Sequence, residues 1–180
     1  MATTTSMTGA QFDALPYEEG RRWELVEGEL IEVPSATPEH QIIVGKLIIS
    51  LGEYFRRSPI GGVLPDVEFA LSDRDRIRPD VCILLGERWT GLNRKRVPIS
   101  GAPDIACEII SPSERTAEST RKVRAYLRRG LKEVWQVFPE AREVIIWTAG
   151  AATRVLDADV ALSTDALPGW TLPLSGMFEL

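Results

Sequence analysis

The chain has 180 residues, 44% of them hydrophobic and 26% charged, which fits one globular domain with a sizeable core. No apolar run approaches the roughly 20 residues needed to cross a bilayer. Met1–Gly9 also lacks the basic-then-apolar order of a signal peptide, so a cytoplasmic protein without membrane contact is expected. A net charge of −5 argues against a dedicated nonspecific nucleic-acid binder, although acidic metal ligands would add to that count and charge can be locally segregated.

Residues 1–9, small and polar, read as a disordered N-terminus ahead of one domain over 10–180, with no internal repeat or low-complexity linker. WELVEGELIEV, residues 23–33, reads as a hairpin around Glu27-Gly28. From His40 to Phe55 the apolar residues Ile43, Val44, Leu47, Leu51, Tyr54 and Phe55 repeat at three and four, a helical stripe. Ile42, Ile48 and Ile49 widen it, so burial on more than one side is expected. Ser58-Pro59 and Gly61-Gly62 end the helix. Val63, Val67, Phe69 and Leu71 share one parity of a half-buried strand over 63–71, and Ser72–Arg76 follows as a charged turn.

RPDVCILL, residues 78–85, is a short apolar strand opened by a proline. A basic loop, Gly86–Ser100, leads to the third strand, APDIACEII. Cys82 and Cys107 lie inside these apolar runs and read as reduced, buried packing residues. With no CxxC and one histidine, His40, a structural zinc site is excluded. In SPSERTAESTRKVRAYLRRG, Ser111, Pro112 and Glu114 fit a capping box, with Thr116 as the alternative cap and Gly130 as the C-terminal cap. Val123, Tyr126 and Leu127 are its apolar stripe. Two strands, EVWQVF and EVIIW, come next, and the apolar tail Leu167–Leu180 reads as a strap over the core. A helix between strands of one sheet implies a right-handed crossover, so a mixed α/β sheet with flanking helices is expected.

Three residues carry the chemistry. Glu108 lies among apolar neighbours in IACEIIS, and a buried carboxylate must be paired, protonated or metal-bound; the plain alternative is an edge-strand glutamate reaching solvent. Asp80 follows Pro79, as turn aspartates often do, but an apolar strand starts directly after it. Two neighbouring strands that each aim one carboxylate at a common point make a hard-oxygen site suited to magnesium or manganese. Lys122 shares a helix face with Glu118 and Tyr126 at four-residue steps, which a solvated Glu–Lys pair would also explain.

The order helix, strand, Asp-strand, Glu-strand, helix, strand resembles the αβββαβ core of the PD-(D/E)XK, or restriction-endonuclease-like, nucleases. More closely, the chain is similar to the Uma-type family of bacterial restriction-endonuclease-like proteins. WELVEGELIEV, PEHQIIVGKL, RPDVCIL, APDIACEIISPS, the helix with Lys122 and Tyr126, LKEVWQVFP and LPGWTLPLSGMFEL carry that resemblance in order, over nearly the whole chain. It implies a metal-dependent endonuclease acting on nucleic acid, DNA above all, with Mg2+ or Mn2+ held by Asp80 and Glu108. The superfamily lysine normally lies two residues after the glutamate, where this chain has Ile110, and Lys122 from the following helix takes its place in the Uma-type pattern. Glu24 and His40 match recurrent positions near the site, His40 equally fitting a capping or packing role, and Tyr126 is a further candidate. Phe138 and Glu118 stand where the family often has aspartates.

Arg115, Arg121 and Arg124 on the same helix, with Arg94, Lys95 and Arg96 in the preceding loop, are candidate phosphate contacts, which position nucleic acid without reading sequence. Solubility is the competing role of each. A homodimer would let two sites cut two strands. The alternatives are a catalytically degenerate nuclease fold used for DNA or protein binding, and an unrelated small α/β enzyme. The latter is disfavoured because no glycine-rich phosphate loop, GxSxG elbow or Cys–His motif is present.

Overall fold

The computed structural model describes residues 6–111 and 116–179. In chain order the elements are α1 (Gly9–Asp13), β1 (Arg22–Val26), β2 (Glu29–Val33), α2 (Pro38–Arg57), β3 (Gly61–Pro65), β4 (Phe69–Ser72), β5 (Asp75–Ile77), β6 (Val81–Leu85) and α3 (Glu87–Thr90). They continue with β7 (Ile99–Ser100), β8 (Ile105–Ile109), α4 (Thr116–Arg128), β9 (Glu133–Phe138), β10 (Glu143–Thr148), β11 (Arg154–Asp157), β12 (Ala161–Ser163), β13 (Thr171–Pro173) and α5 (Leu174–Phe178).

The main sheet runs β11-β10-β9-β8-β6-β3. β3, β6 and β8 are antiparallel neighbours, while β8 and β9 are parallel and joined through α4. α2, β3, β6, β8, α4 and β9 therefore form the expected αβββαβ mixed sheet with flanking helices. A second sheet, β2-β1-β5-β4-β7, covers the α4 side. Strand alternation divides the core between the two faces of the main sheet. Val81, Ile83, Ile105, Cys107 and Val137 pack with α2 and the C-terminal segment. Cys82, Leu84, Ala106 and Val134 pack with α4 and the second sheet. Both cysteines are free and buried.

α2 starts where Thr37 Oγ1 accepts the His40 backbone N–H and Pro38 supplies a preset φ at the first helical position. Its buried residues are Ile43, Val44, Leu47, Leu51, Tyr54 and Phe55, the expected stripe. Of the three residues expected to widen it, Ile48 is half-buried against the core, while Ile42 is 43% and Ile49 65% exposed on a face that no described residue covers. The hairpin turns on Glu27 and Gly28, both at positive φ, the geometry that matches strand twist in a two-residue connection.

The expected strand over 63–71 is two strands in different sheets. Pro65 ends β3, Asp66 takes a φ of 50°, and the chain crosses to β4 in the second sheet. The expected charged turn at 72–76 contains the start of β5. Asp75 and Arg76 are buried there, because Asp75 accepts the Glu27 N–H and Arg76 forms a two-pronged pair with Asp13. The chain then returns to the main sheet through Arg78, Pro79 and Asp80. The expected basic loop 86–100 holds α3 and β7.

Of residues 1–9, 1–5 lie outside the described residues. Met7 donates to the Gly28 carbonyl, and Thr8 caps α1 with a reciprocal box to Gln11. The proposed box Ser111–Pro112–Glu114 falls largely outside the described residues. Gly130 follows α4 at a φ of 82°, as a C-terminal cap requires. In the tail, Leu167, Trp170, Leu174, Met177 and Phe178 are buried against the α2 side, Trp170 stacking on Trp135 at 5.5 Å.

Candidate active site

The two sheet crossings meet: the Asp66 N–H donates to the Asp80 carbonyl at 3.1 Å. Beside that junction lies a cleft of about 750 Å3 lined by Glu24, His40, Asp80, Glu108, Glu118 and Lys122, among others. Asp80 comes from the second crossing. Val81 pairs with Cys107 in antiparallel register, and the next step of that register sets Asp80 opposite Glu108. One Asp80 oxygen accepts the Ile109 N–H at 2.8 Å and the His40 Nε2 contact at 3.1 Å. His40 reaches it from the first turn of α2, and its Nδ1 is buried without a partner.

Glu108 shares the parity of Ala106 and so faces α4 and the second sheet rather than α2. It is 7% exposed, which removes the edge-strand alternative. Its Oε2 accepts from Lys122 Nζ at 2.8 Å and its Oε1 from the Tyr126 hydroxyl at 2.7 Å. Lys122 Nζ is also 3.1 Å from Glu24 Oε2, and Glu24 Oε1 accepts the Arg78 N–H at 2.7 Å. Burial of Val123, Ala125 and Tyr126 fixes the rotation of α4, and four-residue spacing then aligns Lys122 with Tyr126 over Glu108.

Electrostatics follow from burial. Loss of water pushes the Glu108 carboxyl above its ordinary range, Asp80 and Glu24 add to that, and Lys122 opposes it. Burial alone would lower Lys122, but Glu108 and Glu24 more than offset this and hold it protonated. Desolvation and the Glu108 charge likewise raise the Tyr126 hydroxyl. Burial pushes the Cys82 thiol up to about 12, so that cysteine packs and does not react.

Asp80, Glu108, Lys122, Glu24, His40 and Tyr126 are thus brought together. The arginines are not. Arg121 pairs with Glu27 and Glu29 at the hairpin turn, Arg124 is exposed on α4 without lining the cleft, and Arg115 lies outside the described residues. Arg22 and Arg78 line the cleft instead, paired with Asp66 and Glu68 respectively. Arg78 could have been found as the first residue of RPD.

A family profile described as "Putative restriction endonuclease", Uma2, matches residues 10–175. The chain belongs to the Uma2 family. A crystal structure from Anabaena variabilis ATCC 29413, described as a "putative nuclease" belonging to DUF820, has the same fold. Its TM-score is 0.82 at 20% identity, over 96% of this chain and 97% of that one. No curated protein matches.

The donor set of this Uma2 site suits a hard divalent cation. Three carboxylates, Glu24, Asp80 and Glu108, outnumber the one ammonium buried among them, so a further positive charge is favoured on their cleft side. Among the described residues no three His, Cys, Asp or Glu groups form a ready metal cluster. An ion would therefore bind through two carboxylates plus water, as magnesium commonly does.

Proposed function

We propose that this chain is a metal-dependent endonuclease that hydrolyses phosphodiester bonds in DNA, with Mg2+ or Mn2+ held by Asp80 and Glu108. The observation that carries the reading is the Lys122 ammonium, buried between Glu24 and Glu108 at the wall of the cleft Asp80 lines. The ion would neutralise charge at the phosphate and lower the pKa of bound water. Lys122 acts as a fixed cation and not as a base, because its acidic neighbours keep it protonated. One of its three N–H donors goes to Glu108 and the ammonium lies 3.1 Å from Glu24, which leaves a donor for a water or phosphate oxygen in the cleft. Tyr126 holds the second Glu108 oxygen, Glu24 holds Lys122, and His40 orients Asp80.

One observation favours a second reading, a degenerate binding module: both Glu108 oxygens are already satisfied within the protein. Cleavage of plasmid and single-stranded DNA with Mg2+ or Mn2+ separates the two, with calorimetric metal titration on the same samples. The nuclease reading expects metal-dependent cutting that Asp80→Ala and Glu108→Ala each abolish. Absence of both cutting and metal binding would leave the degenerate module. We further propose that a homodimer brings two sites to two strands; a strict monomer by sedimentation at working concentration would remove that element.

A further inference from the structure

Many cations among the described residues sit on carboxylates, Arg21, Arg22, Arg76, Arg78, Arg121 and Arg128 among them. Arg94, Lys95 and Arg96 are the longest run without such a partner. They are consecutive, exposed, and unpaired with any carboxylate among the described residues. Their loop is anchored at both ends. Trp89 lies against Gly62 of β3, so closely that an added Cβ would come within 2.4 Å of its ring, and Arg94 stacks over the same ring at 5.5 Å. At the other end the Ile99 N–H donates to the Glu68 carbonyl at 2.8 Å. Between them, Asn93 Oδ1 accepts the Lys95 N–H and the Asn93 carbonyl accepts the Arg96 N–H, which closes a tight turn. A held turn therefore carries the three side chains, Arg94 resting on Trp89.

The second anchor ties this turn to the cleft. Glu68 carries the Arg78 guanidinium, and Arg78 lines the cleft two residues before Asp80. Arg96 is three residues from Ile99, at most about 10 Å along the chain. Behind the turn, Arg88, Arg96 and Arg129 line a concavity of about 560 Å3.

We infer that Arg94, Lys95 and Arg96 form an arm that grips the phosphate backbone of a nucleic-acid duplex continuing past the scissile phosphate over Arg78. The inference rests on the nuclease reading for the position of the scissile bond. It goes further in requiring a substrate several nucleotides longer than the cleft. Run-on phosphates are spaced singly charged groups, which three unpaired neighbouring cations match, and such contacts release counterions on binding.

The test uses the full chain with Arg94→Gln, Lys95→Gln and Arg96→Gln together, outside the metal and lysine site. Duplex DNA affinity is read by fluorescence anisotropy across salt concentrations, without metal. The slope of log K against log salt is expected to fall by about 3, roughly one per lost phosphate contact. Hydrolysis of bis(p-nitrophenyl) phosphate, which carries a single phosphate, is expected to be unchanged. An unchanged slope overturns the arm. So does wild-type binding to phosphatidylserine vesicles with none to DNA. Equal loss of small-diester hydrolysis would mean a folding defect; Lys95→Gln alone, fully exposed, must then lower the slope by about 1. Because binding is read without metal, failure of the nuclease chemistry leaves this result legible on its own.

Discussion

Replacing Lys122 with methionine keeps the aliphatic stem and removes the charge between Glu24 and Glu108. Breaking a buried ion pair by deleting one partner costs about 3–5 kcal/mol, because the remaining charge is left uncompensated. Here two carboxylates lose their cation, at 2.8 and 3.1 Å. Protonation caps the loss. In the variant the Glu108 carboxyl is held still further above its unfolded value, so the native state takes up a proton. Stability is then retained at low pH and lost as pH rises through the native pKa. Burial already raises Glu108 to about 8 with the lysine present, so wild type carries the same loss between about 4.5 and 8, and the variant departs from it as pH rises through about 8. The expected deficit in urea unfolding, with chelator present, is small up to about pH 8 and grows toward about 3–5 kcal/mol as pH rises beyond it. At about 2–4 °C per kcal/mol for a chain of this size, the melting temperature falls by roughly 6–20 °C at the upper pH. A deficit that stays flat as pH rises through about 8, or lies within about 0.5 kcal/mol of wild type above it, would refute the view that Lys122 neutralises the Glu108 carboxylate.

Tyr126→Phe leaves one buried Glu108 oxygen without its 2.7 Å donor, and an unsatisfied buried acceptor costs about 1–3 kcal/mol, so a loss of that size is expected in chemical denaturation at pH 7. On α2, Leu47→Ala should cost about 2–5 kcal/mol, while Ile49→Asp, on the outer face, should stay within about 0.5 kcal/mol of wild type. Equal costs for the two would mean that the outer face is covered in solution.

What could be read from the sequence was what depends on local spacing. The α2 stripe, the Glu27-Gly28 turn and the alternation around Cys82 and Cys107 follow from side-chain period alone, and the structure has them. Glu108 stood out because a carboxylate inside IACEII has no local partner, and the structure supplies distant ones in Lys122 and Tyr126. What could not be read was which sheet a residue joins. Val63 and Phe69 share a parity yet belong to different sheets, because the break at Asp66 depends on a backbone turn that its sequence only weakly marks. Asp75 and Arg76 look like turn residues, and only the distant Glu27 and Asp13 make their burial tolerable. For the same reason Arg121 read as a phosphate contact: its acidic partners lie over 90 positions earlier in the chain.

The placement of Glu24 explains why the second sheet exists beside the site. β1 belongs to the sheet that covers α4, and Glu24 is the point where that sheet reaches the Lys122 ammonium while receiving the Arg78 N–H from the crossing. The cover, the crossing and the helix are thus pinned by one carboxylate. Buried ion clusters are weak sources of stability, since well-packed hydrophobic replacements are often as stable or more so. Folding alone therefore gives little reason for three carboxylates and a lysine to converge at this junction. An apolar plug would close the same gap, and it would present nothing to the cleft. The charged arrangement does present something: an ammonium kept protonated by its neighbours, and two carboxylates from adjacent strands facing the same open space. That combination is costly as packing and useful as chemistry on a phosphodiester, which is why the site, rather than the fold likeness, carries the functional reading.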